Sequence, residues 1–454
     1  MKHWMLLLMC TPGLVLAQHK KKKAKLEAQE NITVTQALQQ HVQYLSSLQG
    51  SNGEEMALQY IIKQYQQMGL QPKGADGFVQ EFEIDAGKQF TGTTFFSVNE
   101  VAAQPVIDYF PLAFSATNQV KGAASVDLNE VGQPWFLDVK DVLEENQDNP
   151  SFNLEAYIKK TADKDQQKGA TALLLFNSSS IADHLAFDKK DLAQSLSLPV
   201  LYITKEGMRK LFSDSTATFN LTLGVGFSRK IIKAKNIVAY LDNHAANTVV
   251  LGAHYDECGT GEGSLQHNIG ADDNASGTAA LIELARMLKK YAPSNNNYLI
   301  IHFSGEQEGR LGSKYWVEHP TIPGTPNYMV NFDKLGSYDS THMLTISGYG
   351  TSPVWGNLFQ WVNDKSLTVQ LDSSACGMSD HEIFYRSGIP VLCFSAATHD
   401  EKGIVHEWNQ LNYPAVKEMV QYAYHIIQSA DEKGKLAFTK TTERPAILNR
   451  KKGT

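Results

Sequence analysis

Apolar positions recur at helical spacing through residues 33–48, at Val34, Leu38, Val42, Leu45 and Leu48. A second stripe, Met56, Tyr60, Ile61, Tyr65 and Met68, stops at Gly69. Residues 77–84 then alternate apolar and polar, as a half-buried strand does. Two helices and a strand suit the opening of an α/β domain.

From residue 231 onward, short apolar runs alternate with helical stripes. The runs predict strands at 236–241, 248–253, 298–303, 328–332, 343–347 and 389–394. The stripes predict helices near 276–290, 313–318, 353–364, 381–387 and 413–430. Near-continuous apolar strands are buried on both faces, which needs helices on both sides of the sheet. The expected fold class is α/β, with a mixed, mainly parallel central sheet. Residues 100–230 read differently. They hold short β-like runs, a stretch rich in Asn, Asp and Glu at 138–153, and one helix ending near Lys168. They are expected to form an inserted β-rich lobe between two parts of one domain, 33–99 and 231–432, followed by a polar tail at 433–454.

The first residues do not belong to that pattern. Residues 1–17 carry one Lys and an apolar core broken by Pro12-Gly13, and end in Val-Leu-Ala. This predicts a cleaved signal peptide; the apolar run is too short for a membrane anchor. A basic linker at 18–32 follows. The mature chain is then exported, periplasmic or secreted, with no integral membrane segment. The formal charge of −7 argues against a nucleic-acid partner. Beyond the leader lie Cys258, Cys376 and Cys393. One disulfide with a free thiol, or no disulfide, is compatible with export, and Cys393 sits in an apolar run that reads as core.

Candidate chemistry concentrates in 251–277, LGAHYDECGTGEGSLQHNIGADDNASG. His254, Asp256, Asp272 and Asp273 gather there at a strand end. Grouped carboxylates cost desolvation and repulsion unless a cation offsets them. In open parallel sheets, ligands bind beyond the carboxyl ends of strands. Three further strand ends deliver candidates: Glu306, Gln307 and Glu308 after 298–303, Asp333 after 328–332, and His399, Asp400 and His406 after 389–394. Imidazole and carboxylate suit zinc. Asp272 is placed to bridge two ions, Glu306 to take a proton from water, and Asp256 to orient His254. His302, mid-strand, reads as a core histidine, and His267 as a loop residue. The Gly-rich loop at 259–263 lacks the Lys-Ser/Thr of a phosphate cradle.

These residues resemble the co-catalytic zinc aminopeptidases and their glutamate carboxypeptidase and glutaminyl cyclase relatives. The resemblance rests on His254-Tyr255-Asp256, the run Gly-Ala-Asp-Asp-Asn-Ala-Ser-Gly at 270–277, Phe303-Ser304-Gly305-Glu306, Leu311-Gly312-Ser313, Asn331-Phe332-Asp333, Ser379-Asp380-His381 and Gly388-Ile389-Pro390. The lobe at 100–230 resembles a protease-associated domain. The resemblance implies two zinc ions bridged by Asp272, with His254 and Asp333 on one, and His406 or its rival His399 on the other. It implies Glu306 as general base, Asp256, Asp273 and Asp380 as supporting residues, a cis peptide between Asp272 and Asp273, and peptides as substrates.

Three positions depart from that pattern. Gln307 stands where a zinc-binding glutamate is expected, and Lys334 and Arg310 stand where apolar residues are usual. Gln307 removes one negative charge and Lys334 adds one positive, together the charge of one zinc ion. One bound metal, or none, is therefore compatible with this chain. The expected function is an exported zinc exopeptidase, most simply an aminopeptidase. The alternative is a catalytically impaired relative that binds peptide or a partner. A single-zinc glutaminyl cyclase-like activity ranks last, because Gln307 replaces a ligand needed there too.

Overall fold

The structure, a computed structural model, describes residues 33–48, 52–214, 216–256, 270–291, 293–339, 343–361, 366–375, 377, 379–396 and 407–441. The expected signal peptide and basic linker lie outside the described residues, as do Cys258, His267, Cys376, His399, His406 and the tail beyond 441. Among the described residues, no helix is long and apolar enough to cross a membrane.

The chain divides into two compact units. One joins the segment up to Phe82 with the segment from Lys233 onward. Its nine-stranded sheet has a parallel centre: Asn296–Phe303, Asn247–His254, Met329–Phe332 and Val391–Ser395 lie side by side in that order. Phe227–Leu241 flanks Asn296–Phe303 antiparallel, and Leu344–Ser347 flanks Val391–Ser395 antiparallel. The sheet is thus mixed α/β, as the sequence pattern implies, with its parallel strands at the centre. Every residue of Asn296–Phe303 is buried, which explains an apolar run without alternation. One edge strand, Val369–Asp372, escapes the sequence pattern because two of its four residues are exposed.

Helix Gly277–Tyr291 begins immediately after the Asp-rich turn. Leu281, Ile282, Leu284 and Leu288 are wholly buried, and the helix packs against Tyr413–Asp431. A helix apolar on most sides belongs inside a domain, and this one anchors the turn that precedes it. The Asp431 carboxylate fixes the other end of the sheet by accepting from Asn295 N–H at 2.9 Å and Asn296 Nδ2 at 2.8 Å.

The second unit is Glu83–Ile232. It begins before residue 100 because Phe95–Val98 pairs with Thr218–Gly224 inside it. It holds two four-stranded sheets. In one of them Trp135–Asp138, Leu173–Phe176 and Val200–Ile203 run parallel, with helix Leu154–Gln167 between the first two in sequence. The lobe therefore carries helix–strand alternation that the sequence reading did not anticipate. The runs at 173–176 and 200–203 are short and almost fully buried, and such runs do not reveal their partners.

Helix Leu311–Glu318 sits tight on the strand end that delivers Glu306. A Cβ added at Gly312 would lie 2.3 Å from the Ser304 carbonyl oxygen, whereas one added at Gly92 would meet nothing within 4 Å. Gly312→Ala should therefore lower unfolding free energy by about 1–3 kcal/mol in urea titration, and Gly92→Ala should change it by less than about 0.5 kcal/mol. Equal effects at the two positions would contradict the packing described.

Candidate metal centre

His254 is the last residue of the central strand Asn247–His254, and its ring is buried. Its Nε2 faces Asp273 Oδ1 and Asp333 Oδ1, each at 3.4 Å. Its Nδ1 faces Asp256 Oδ1 at 3.3 Å. One nitrogen, Asp273 and Asp333 supply three donor atoms lying within 4.8 Å of one another. Among the described residues this is the only group of three or more His, Cys, Asp and Glu close enough to hold a metal ion.

Asp273, and not the Asp272 expected to bridge, belongs to this group. Asp272 turns away. Its Oδ1 accepts from Gly336 N–H at 2.6 Å and from Ser276 Oγ at 3.2 Å, and Ser337 Oγ donates to its Oδ2. Adjacent carboxylates on a tight turn point in different directions, so the Asp-Asp pair in the sequence could not say which one faces the cluster. The non-proline cis peptide also falls one bond later, at Asp273–Asn274.

Asn274 holds three segments together and was not singled out from the sequence. Its Nδ2 donates to Phe332 O at 2.9 Å and to His254 O at 3.4 Å. Its Oδ1 accepts from Gly277 N–H and from Lys334 N–H, each at 3.1 Å. One buried carboxamide therefore joins the ends of two neighbouring strands, the Asp273 turn and the start of the following helix. Its only signal in the sequence is its place in the Asp-Asp-Asn run.

Glu306 follows strand Asn296–Phe303. Its backbone N–H donates to Asp256 Oδ2 at 2.8 Å, so Asp256 links the Glu306 loop to the loop after His254. Burial pushes the Glu306 carboxyl up to about 7; His254 pulls it down, while Asp380, Asp333 and Asp256 add repulsion. Gln307 is exposed, and its Nε2 donates to Glu306 Oε2 at 2.8 Å. Lys334 reaches the site: its Nζ lies 2.8 Å from Asp273 Oδ2. Arg310, the other departure, pairs with the buried Glu382 and donates to Gly377 O.

The charges explain one another. Burial opposes the His254 imidazolium, but Asp256, Asp273 and Asp333 outweigh it and hold its proton well above the usual range. Against the same burial, His254 keeps the Asp273 and Asp333 carboxyls low, with Lys334 assisting. Asp380 is wholly buried before helix His381–Arg386, and desolvation pushes it up to about 7. His381 is buried with neither ring nitrogen hydrogen-bonded among the described residues, and burial pushes it down to about 4. His302 is a core residue: its Nε2 meets Tyr65 OH at 2.6 Å, and burial pushes it down to about 3. Cys393 is a buried free thiol.

Residues 236–431 match the family described as Peptidase family M28. Aminopeptidase YwaD of Bacillus subtilis (strain 168) is 31% identical over 235 residues, covering 49% of this chain and 47% of that protein. A probable lipoprotein aminopeptidase, LpqL, of Mycobacterium tuberculosis is 28% identical over 248 residues, covering 49% of this chain and 46% of its own. The chain spans about half the length of these curated relatives, 47% and 46%. The crystal structure of BSAP, a zinc aminopeptidase from Bacillus subtilis, superposes with a TM-score of 0.51 at 18% identity, covering 89% of this chain and 95% of that one. At that identity the likeness is one of fold.

Asp380 gives a test of the electrostatics. Its folded carboxyl titrates near 7 and an ordinary one near 3.8, so the folded metal-free protein keeps a proton that the unfolded chain releases in that window. Stability contributed at this site therefore falls as pH rises from about 4 to 7. Asp380→Asn, of the same shape and without titration, should match wild type near pH 4. By pH 7 its thermal midpoint should be higher by a few degrees. A difference that does not grow with pH would contradict the burial and repulsion described.

Proposed function

From the premise that residues 236–431 are a peptidase family M28 domain, we propose that the chain is an exported zinc-dependent aminopeptidase. It would remove N-terminal residues from peptides, with Glu83–Ile232 as an inserted protease-associated lobe. The observation that carries this reading is the convergence of His254, Asp273 and Asp333 beside a buried, anchored Glu306. Imidazole and two carboxylates form a donor set suited to one zinc ion, and a fourth position can stay open. When bound, such an ion would polarise a carbonyl and make water acidic near neutral pH.

The remaining work falls to this chain's own groups. Asp256 accepts the Glu306 N–H and faces His254 Nδ1, so one carboxylate orients both the imidazole and the general-base loop. Glu306, when ionised, can accept a proton at Oε1 or Oε2. Its raised proton affinity suits a base working near neutrality better than an exposed carboxylate would. Asn274 keeps the carboxylates of Asp273 and Asp333 in one place by fixing the backbone that carries them.

A second reading has its own support. Gln307 offers an amide where a carboxylate is expected, and Lys334 sits on Asp273. Both favour a relative that binds peptides with little or no hydrolysis. Hydrolysis of aminoacyl anilides by zinc-loaded protein separates the two. The aminopeptidase reading expects turnover that falls roughly 10²–10⁴-fold in Glu306→Gln. Wild type and variant equally inert would leave peptide binding as the function.

A further inference from the structure

The described residues do not fit a second ion as they fit the first. Two ions about 3.5–4 Å apart share a bridging carboxylate, one oxygen to each. Asp273 Oδ1 faces His254 Nε2 at 3.4 Å and belongs to the donor group already described. Asp273 Oδ2, the oxygen left for a second ion, lies 2.8 Å from the Lys334 ammonium. A second donor expected there is replaced by Gln307, whose Nε2 is turned to Glu306 as a donor; the third, His406 or His399, lies outside the described residues.

We propose that Lys334 is a built-in substitute for a second metal ion, so that the site takes one divalent cation at His254, Asp273 and Asp333 and an ammonium on the outer oxygen of Asp273. The charge balance supports this. A divalent ion with a glutamate ligand carries a net charge of one positive, and so does an ammonium with a neutral glutamine. The departures at Gln307 and Lys334 therefore compensate each other, and either one alone would leave the cluster unbalanced.

The backbone delivers the ammonium. Lys334 adopts a left-handed conformation, φ 55°, uncommon for a residue with a side chain. Two hydrogen bonds hold it there. Its N–H donates to Asn274 Oδ1 at 3.1 Å, and its carbonyl accepts from Ala396 N–H at 2.9 Å. The same Asn274 that fixes the Asp273 turn thus fixes the residue that neutralises Asp273. Lys334 is a positioning residue: it sets how many ions the carboxylates can take.

The inference rests on the proposed metallopeptidase site for the identity of the first ion, and its test does not use activity. Full-length protein is stripped, titrated with zinc, and its bound metal counted by native mass spectrometry and elemental analysis. Wild type should hold one equivalent and the double variant Lys334→Met/Gln307→Glu two. If the double variant does not fold, Lys334→Met alone serves. It should still hold one equivalent, bound roughly fivefold tighter because the competing ammonium is gone. Two equivalents in wild type, none in wild type, one in the folded double variant, or no gain in affinity for Lys334→Met would overturn the proposal. Loss of hydrolysis with the predicted stoichiometry intact would sink only the aminopeptidase reading.

Discussion

The buried carboxamide of Asn274 is the constraint on which the site depends. A carboxamide offers two donors and an acceptor with two lone pairs, and here both ends are used. It ties the carbonyl ends of two parallel strands to a turn and to the start of a helix. The central strands bring His254 and Asp333 to the same edge of the sheet, since Gly252 pairs with Asn331 in parallel register. The sheet alone does not place Asp273, which lies in the turn Ala271–Ser276. Asn274, next in the chain, does that by binding the strand ends directly. Leaving any of these buried backbone groups unpaired would cost roughly 1–3 kcal/mol each, so the turn has little freedom to drift.

Given that scaffold, electrostatics decides what the site can be. Asp256, Asp273, Asp333, Glu306 and Asp380 meet around one imidazole. Their proton affinities split in opposite directions: Asp273 and Asp333 are held low by His254 and Lys334, while Glu306 and Asp380 are pushed up by burial and mutual repulsion. That division separates groups suited to holding a cation from groups suited to holding a proton. Lys334 is a cation held by the first set. It meets part of the demand for positive charge from within the chain.

Much of the architecture was legible because buried parallel strands leave unbroken apolar runs. Strands 236–241, 248–253 and 298–303, with the helix after the Asp-rich turn, come directly from that pattern. Strand Val369–Asp372 was not legible because it buries too little to alternate. The lobe's parallel strands were visible as apolar runs, but their pairing was not. At the site, His254, Asp333, Glu306 and Asp256 sit where strand-end reasoning expects. Asp273 rather than Asp272 faces the cluster because neighbouring side chains on a turn diverge, and Asp272 is drawn aside by Ser276, Gly336 and Ser337, hydrogen-bond partners that no spacing rule ties to one aspartate. The importance of Lys334 was visible as an unexpected charge, but its contact with Asp273 depends on a left-handed backbone that the sequence does not announce.

Anomalous diffraction at the zinc edge from crystals soaked in zinc tests the central claim most directly. One peak is expected, about 2.0–2.2 Å from His254 Nε2, Asp273 Oδ1 and Asp333 Oδ1, with Lys334 Nζ still on Asp273 Oδ2. Two peaks sharing the Asp273 carboxylate, with Lys334 displaced, would contradict the account.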